Sequence, residues 1–394
     1  MSTGEGAARP PARVPLATVA REWTRLGCIG FGGPPAHISL LRRLCVDDRG
    51  WMEAKEFEDG IAAANLLPGP ASTQLAIFCA WRLRGTAGAM VGGICFIAPG
   101  LALIIALSAL FLARHPAGWV LGAAAGAGAA VPAVALGAAR GLVPGSWGRI
   151  GAGRAEKVRW LAYAGAGAAV AAVEGTYLVA VLVACGAVEV WVRRRPRPGP
   201  ASGALSGAPL AAAHLAAAGG LGALVWVAFK VGALSYGGGF VIVPLIQHDA
   251  VDAYHWLTGA QFLNAVALGQ VTPGPVVQTV AVVGYAARGV PGALLAAAVA
   301  FAPSFCFVVF GGAHFDRVRA DVRVAAFLTG AGPAVVGAIA GSSIPLGLAI
   351  GHLWQVPVLA AAALWLLVAR RGVVTALVAA GAVGAVLAVA GVGV

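Results

Sequence analysis

The chain has 394 residues, 60% hydrophobic and only 11% charged, with a mean hydropathy of +0.86. That composition excludes a soluble globular protein, and the recurrent apolar runs approach the ~20 residues that span a bilayer. The net charge of +12 does not point to nucleic acid, because Lys and Arg stand in short clusters between apolar runs and form no basic stripe with interleaved aromatics. Six Cys (Cys28, Cys45, Cys79, Cys95, Cys185 and Cys306) are scattered without metal-ligand spacing, so no metal, redox group or other cofactor is expected.

In chain order, residues 1–15 are rich in Pro, Gly and Ala and read as a disordered tail, not a signal peptide. Segment a (16–41) is interrupted by Gly30-Phe31-Gly32-Gly33-Pro34-Pro35, and segment b (56–81) by Pro68-Gly69-Pro70. Consecutive Gly and Pro stop a helix, and irregular backbone at membrane depth is tolerated only inside protein or beside a polar cavity. Segments c (86–113) and d (118–141) are long and apolar, whereas e (160–173) and f (176–192) are short. A basic linker over 193–210 follows, then an apolar run at 204–229 expected to cross the membrane.

The rest of the chain, 230–394, repeats the first part, 16–192. One shift lays Phe31-Gly32-Gly33 on Tyr236-Gly237-Gly238, Trp51 on Trp256 and Pro68-Gly69-Pro70 on Pro273-Gly274-Pro275. After a one-residue slip, Arg84-Gly85 falls on Arg288-Gly289 and Pro99 on Pro303. Duplicated segments with interruptions at corresponding positions are a common plan of secondary transporters. Loops that are basic in one repeat are not basic in the other: Arg42, Arg43, Arg49 and Lys55 have no basic counterpart over 247–260. Arg149, Arg154, Lys157 and Arg159 likewise have none over 345–357. The expected fold class is therefore an all-α polytopic membrane protein with two inverted-topology repeats. Arg82 and Arg84 on the same side as the a–b loop favour re-entrant hairpins for a and b over full crossings.

Gly-rich breaks expose backbone N–H groups, and half-helix N-termini add partial positive charge, so the expected ligand is an anion. Gly32, Gly33, Gly237, Gly238 and Gly239, together with Pro68, Gly69, Pro70, Pro273, Gly274 and Pro275, are the candidate backbone of the site. A cation precedes each aromatic-Gly-Gly, Arg25 before Phe31 and Lys230 before Tyr236, and Lys230 stands inside an apolar run where a charge is costly. Neutral hydrogen-bonding candidates are Asn65, Ser72, Thr73 and Gln74, then Gln270, Thr272, Gln278 and Thr279; His37 could donate to an anion or titrate. Each has an ordinary alternative as helix glue, cap or interfacial anchor.

The ordered set Phe-Gly-Gly-Pro-x-Ala-His-Ile, Trp, Pro-Gly-Pro and Arg-Gly-x-x-Gly-Ala resembles the chromate ion transporter (CHR) family. In the second repeat Gly-Gly-Gly, Trp-Leu-Thr and Gln-x-x-Pro-Gly-Pro resemble that family's second half. The resemblance covers about residues 20–390. It implies a two-domain protein of the bacterial inner membrane, multi-pass, that exports chromate, with isosteric sulfate as a second candidate substrate. Tyr236 departs from the more usual Phe and would add a donor. No phosphate-binding Gly-x-x-x-x-Gly-Lys sequence is present, so a potential or ion gradient is the expected drive. The expected partners are a small oxyanion and the lipid bilayer, with no nucleic acid; a homo-oligomer is left open. The alternative is a membrane-embedded lipid-phosphate phosphatase, for which Ser72 is the only near nucleophile and no carboxylate recurs beside the breaks.

Overall fold

The computed structural model describes residues 14–64, 69–151, 153–173, 177–193, 220–235, 242–311 and 321–393. Among them are fourteen α-helices and no strand, as expected for an all-α polytopic membrane protein. Asn65, Pro68, Tyr236, Gly237, Gly238, Gly239, the tail 1–13 and the linker from 194 lie outside the described residues.

The first half opens with α1 (Leu16–Ile29) and α2 (Pro34–Arg42), separated by the Gly-Gly break and followed by a π-helical turn, Arg43–Asp48. Gly32 and Gly33 take φ of 98° and 74°, a region that side chains disfavour, and Pro34 then starts α2. α3 (Ala54–Ala64) leads to the second break, where Gly69 has φ 123°. α4 (Ala71–Phe111) would be about 60 Å long if straight, twice the hydrocarbon thickness. It is not straight: Arg84 and Gly85 leave helical geometry, with Gly85 at φ 61°, and divide it into a short half-helix and a membrane-length one. α5 (Gly118–Trp147), α6 (Arg154–Val173) and α7 (Leu178–Arg193) complete this half. α6 starts earlier than the apolar run that announces it, because its first two turns are charged, with Arg154, Glu156, Lys157 and Arg159. Arg159 pairs with the buried Glu189 of α7 at 3.0 Å and fastens α6 to α7, and Arg193 of α7 pairs with the same carboxylate at 2.6 Å.

The second half follows with α8 (Leu221–Leu234), α9 (Ile242–Gln247) and a π-helical turn, His248–Ala253, then α10 (Gly259–Val271). A short 3₁₀ turn, Val276–Gln278, runs into α11 (Thr279–Gly311), which bends at Arg288-Gly289 with nearly the dihedrals of Arg84-Gly85. α12 (Val322–Leu348), α13 (Gln355–Ala363, ending in a π turn) and α14 (Val373–Val389) finish the chain. The boundary expected at 229/230 falls inside α8. Residues 221–229 run in one helix with Lys230, and the rest of the apolar run at 204–219 lies outside the described residues.

Four of these stretches are long and apolar enough to cross a membrane: Ala71–Phe111, Gly118–Trp147, Val276–Gly311 and Val322–Leu348. α1 packs on α4 and α8 on α11, while α4 and α11 pack on each other across the middle. The trailing helices are exchanged: α6 and α7 lie on α12 of the second half, and α14 with α13 lies on α5 of the first. Small residues permit this. A methyl on Gly337 would strike the carbonyl oxygen of Ala164, and one on Gly126 that of Ala380.

Candidate functional site

The four breaks meet in two reciprocal crossings. The N–H of Gly69 donates to the carbonyl of Ser235 at 2.8 Å, and the N–H of Gly274 donates to the carbonyl of Gly30 at 2.9 Å. Each Pro-Gly-Pro break is thus tied to the end of the leading helix of the opposite half, α8 or α1. At the second crossing Gly30 O is also 2.8 Å from His37 Nε2, and the buried ring stands edge-on to Phe96. Gln278 Nε2 reaches across to donate to Ile97 O at 2.9 Å, because Gly100 leaves room for it. At the first crossing Ser304 replaces that glycine and lies beside Gly69.

Beside the crossings lies a cavity of about 490 Å³. Its floor is the break itself, Gly32 to Pro35, with Ala71 at the start of α4 and Val276 at the 3₁₀ turn. Its walls are the C-terminal half of α5 and Gly332, Val335 and Val336 of α12. Three polar side chains reach it: Ser146, Arg149 and Gln270. Gln270 Nε2 is buried and has no hydrogen-bond partner among the described residues, and Ser146 Oγ accepts from Trp160 Nε1 at 3.0 Å, so its own O–H is left to donate. Among the described residues no carboxylate lines the cavity, and the one charge there is a guanidinium. The opening N–H groups of helices, here at Ala71 and Val276, lack partners in their own helix. Such a chamber presents donors and positive charge to whatever enters it.

The expected residues divide accordingly. Gly32, Gly33 and Gln270 line the cavity. Gly69, Pro70, Gly274, Pro275, His37 and Gln278 build the crossings, with Pro70 and Pro275 capping the helices that start there. Gln74, Ser72 and Thr73 are buried in the first turn of α4. Thr272 and Thr279 turn their hydroxyls back onto the carbonyls of Leu268 and Val276, at 2.9 and 2.8 Å. The two cations are elsewhere. Lys230 Nζ is 2.6 Å from Asp249 Oδ2 and 5.7 Å from the Trp226 ring, and the mostly exposed Arg25 lies 3.6 Å from Glu22. Neither lines the cavity. Arg149 and Ser146 were missed as site residues. The sequence signal for them is the Gly-rich stretch Gly141 to Gly148 just past segment d, which ends on Arg149.

The fold defines a multi-pass helical membrane protein with an internal chamber between broken helices, the architecture of a transporter. Residues 17–218 and 222–386 match the profile of the chromate transporter family, and the chain belongs to that family. It is 33% identical to the chromate transport protein of Cupriavidus metallidurans over 88% of this chain and 86% of that one. The chromate transport protein of Pseudomonas aeruginosa is 32% identical over 86% of this chain and 82% of its own. A probable chromate transport protein of Synechococcus elongatus is 30% identical over 84% of each. No solved structure matches the chain. Its relatives are transport proteins and not enzymes, so the phosphatase alternative falls.

Proposed function

We propose that this protein exports chromate and that the cavity lined by the Gly32-Gly33 break receives the dianion. The observation that carries the reading is a chamber lined, among the described residues, by donors and one Arg, with no carboxylate, where helix ends converge. A tetrahedral dianion offers four acceptor oxygens, and Arg149, Ser146, Gln270 and the nearby helix-end N–H groups supply the complementary donors. Sulfate has the same shape and charge and fits the same groups. An inside-negative potential of about 100 mV favours outward movement of a dianion by about 4.6 kcal/mol, at ~2.3 per charge. Inverted membrane vesicles should accumulate labelled chromate when their interior is made positive, with sulfate competing. Absence of potential-driven chromate accumulation would overturn the reading.

We further infer inverted halves with re-entrant breaks. The unequal Lys/Arg content of corresponding loops supports this, as do half-helices such as α1 and α3, which are shorter than the ~20 residues of a full crossing. Asp48 and Ala253 end the two π-helical turns and are both exposed. Single Cys labels there, in a Cys-less background, should react from opposite faces; labelling from one face would contradict inversion.

A further inference from the structure

Three serines of the long helices, Ser108 on α4 and Ser342 and Ser343 on α12, turn their hydroxyls back onto carbonyls of their own helix, at 2.7, 2.8 and 2.6 Å. That is the usual resort of a helical serine. Ser146, in the last turn of α5, is engaged instead by another helix: its Oγ accepts the indole N–H of Trp160 on α6 at 3.0 Å. Both side chains are buried, and the indole stands edge-on to Trp147, with 5.1 Å between ring centres. The neighbouring Arg159 fastens this part of α6 to Glu189 of α7. Ser146 lines the cavity and Trp160 does not. With one lone pair taken by the indole, Ser146 meets the cavity with its O–H, as a donor.

We propose that Trp160 is a positioning residue that sets specificity: it holds Ser146 as a donor, so that the chamber takes tetrahedral oxyanions bearing no proton and rejects hydrogenphosphate. The inference deepens the reading above and rests on the cavity being the anion's site. Chromate and sulfate, fully deprotonated, present four acceptor oxygens. Hydrogenphosphate has the same shape and charge, but one of its oxygens carries a proton that needs an acceptor. A buried O–H without an acceptor is penalised, and a site that leaves such a group unpaired discriminates strongly against its bearer.

The surroundings offer that proton little. Arg149 carries donors alone, and Gln270 brings an Nε2 that has no partner among the described residues. Carbonyls at the break are already engaged. Ile29 O accepts from the Phe31 N–H, Gly30 O from the Gly274 N–H and His37 Nε2, and Gly33 O from the His37 N–H. Pro70 O and Pro275 O take the first amides of the helices they cap. The break segments outside the described residues, 65–68 and 236–241, contain no Asp or Glu. The Ser146 oxygen is therefore the side-chain acceptor that Trp160 withdraws from the chamber.

Equilibrium dialysis of the detergent-solubilised protein with labelled chromate, in alkaline buffer, reads the site without transport. Unlabelled sulfate should displace chromate at a concentration about tenfold or more below that needed with hydrogenphosphate. Trp160→Phe keeps a ring and removes the N–H. Ser146 can then turn its hydroxyl back onto α5 and offer its oxygen to the cavity, so the preference for sulfate should shrink about fivefold. Ser146→Ala, which removes the donor outright, should also reduce it and serves where Trp160→Phe accumulates poorly. Because the indole acts through Ser146, adding Trp160→Phe to Ser146→Ala should change the preference no further, whereas a merely structural loss would add. The inference is overturned if hydrogenphosphate displaces chromate from wild type as well as sulfate does. It is equally overturned if either single variant keeps the wild-type preference, or if the two changes add. Selective displacement from a protein whose vesicles accumulate no chromate would sink the transport reading and leave this one standing.

Discussion

The two crossings share one backbone pattern and differ in what surrounds it. In both, the glycine of a Pro-Gly-Pro donates to the last carbonyl before the opposite break. Around Gly30 and Gly274 the space is filled: His37 grips the same carbonyl, and Gln278 threads past Gly100 to Ile97. Around Ser235 and Gly69 the counterparts are Ile242 and Ser304, and among the described residues neither the hydroxyl of Ser235 nor that of Ser304 has a hydrogen-bond partner. A duplicated scaffold therefore holds one joint tied by two side chains and one whose described tie is backbone alone, although His37 Nδ1 and Gln278 Oε1 at the first are also unpaired among the described residues. The first is suited to stay closed and the second to rearrange.

Exchanging the small residues should break this contrast most sharply. Gly100→Ser would drive a side-chain carbon into the carbonyl of Pro273 and to 2.5 Å from Gln278 Oε1, so the closed joint must shift. Overpacking of this kind costs about 1–3 kcal/mol or more, and vesicle transport should be abolished. The mirror change, Ser304→Gly, should leave most of the transport, with a stability loss of about 1 kcal/mol at most. Equal damage from both would mean that the crossings are equivalent.

Gly33→Leu comes next. Its φ of 74° strains any side chain by about 1–3 kcal/mol, and no atom stands near the position, so the Leu has open space beside the cavity. Membrane-inserted protein should remain and chromate accumulation should be largely lost. Wild-type flux would remove the break from the site. Arg149→Gln removes the cavity's charge, and a hydrogen bond to a charged group is worth about 1.5–3 kcal/mol, so the chromate concentration for half-maximal flux should rise about tenfold or more. Arg149→Lys should recover part of this. The smallest effect is expected of His37→Ile, which gives the closed joint the residue of the open one. Gly30 O keeps the Gly274 N–H, and detergent-solubilised protein should lose about 1 kcal/mol of stability with flux retained. Loss of flux in a stable His37→Ile protein would place the imidazole in the transport cycle.

The breaks were legible in the sequence because Gly-Gly-Pro-Pro and Pro-Gly-Pro have few uses inside an apolar run other than stopping a helix. Their pairing partners were not, since nothing local tells Gly69 that its acceptor is Ser235. Lys230 was legible as an expensive charge, but its relief lies across the break on Asp249, and a linear reading equally allowed the substrate as its partner. Arg149 was hidden differently. A cation just past a transmembrane helix reads as an interfacial anchor, and only the packing of α5 beside the first break turns it into a cavity wall. The start of α6 was hidden by its charges, one of which, Arg159, is paired by Glu189 from another helix.

The exchange of trailing helices also bears on how the chain is made. Translation delivers α5 long before α13 and α14, so the glycine face at Gly122 and Gly126 waits in lipid until the ribosome has finished. α6 and α7 likewise wait for α12. The first half therefore leaves the insertion machinery with α5, α6 and α7 still lacking their partners from the second half, and the last seventeen residues of helix, Val373–Val389, close the bundle. A premature stop before α14 would remove the only helix seated on the Gly122–Gly126 stripe among the described residues. The unfinished protein would then expose that stripe to quality control, however complete its cavity residues.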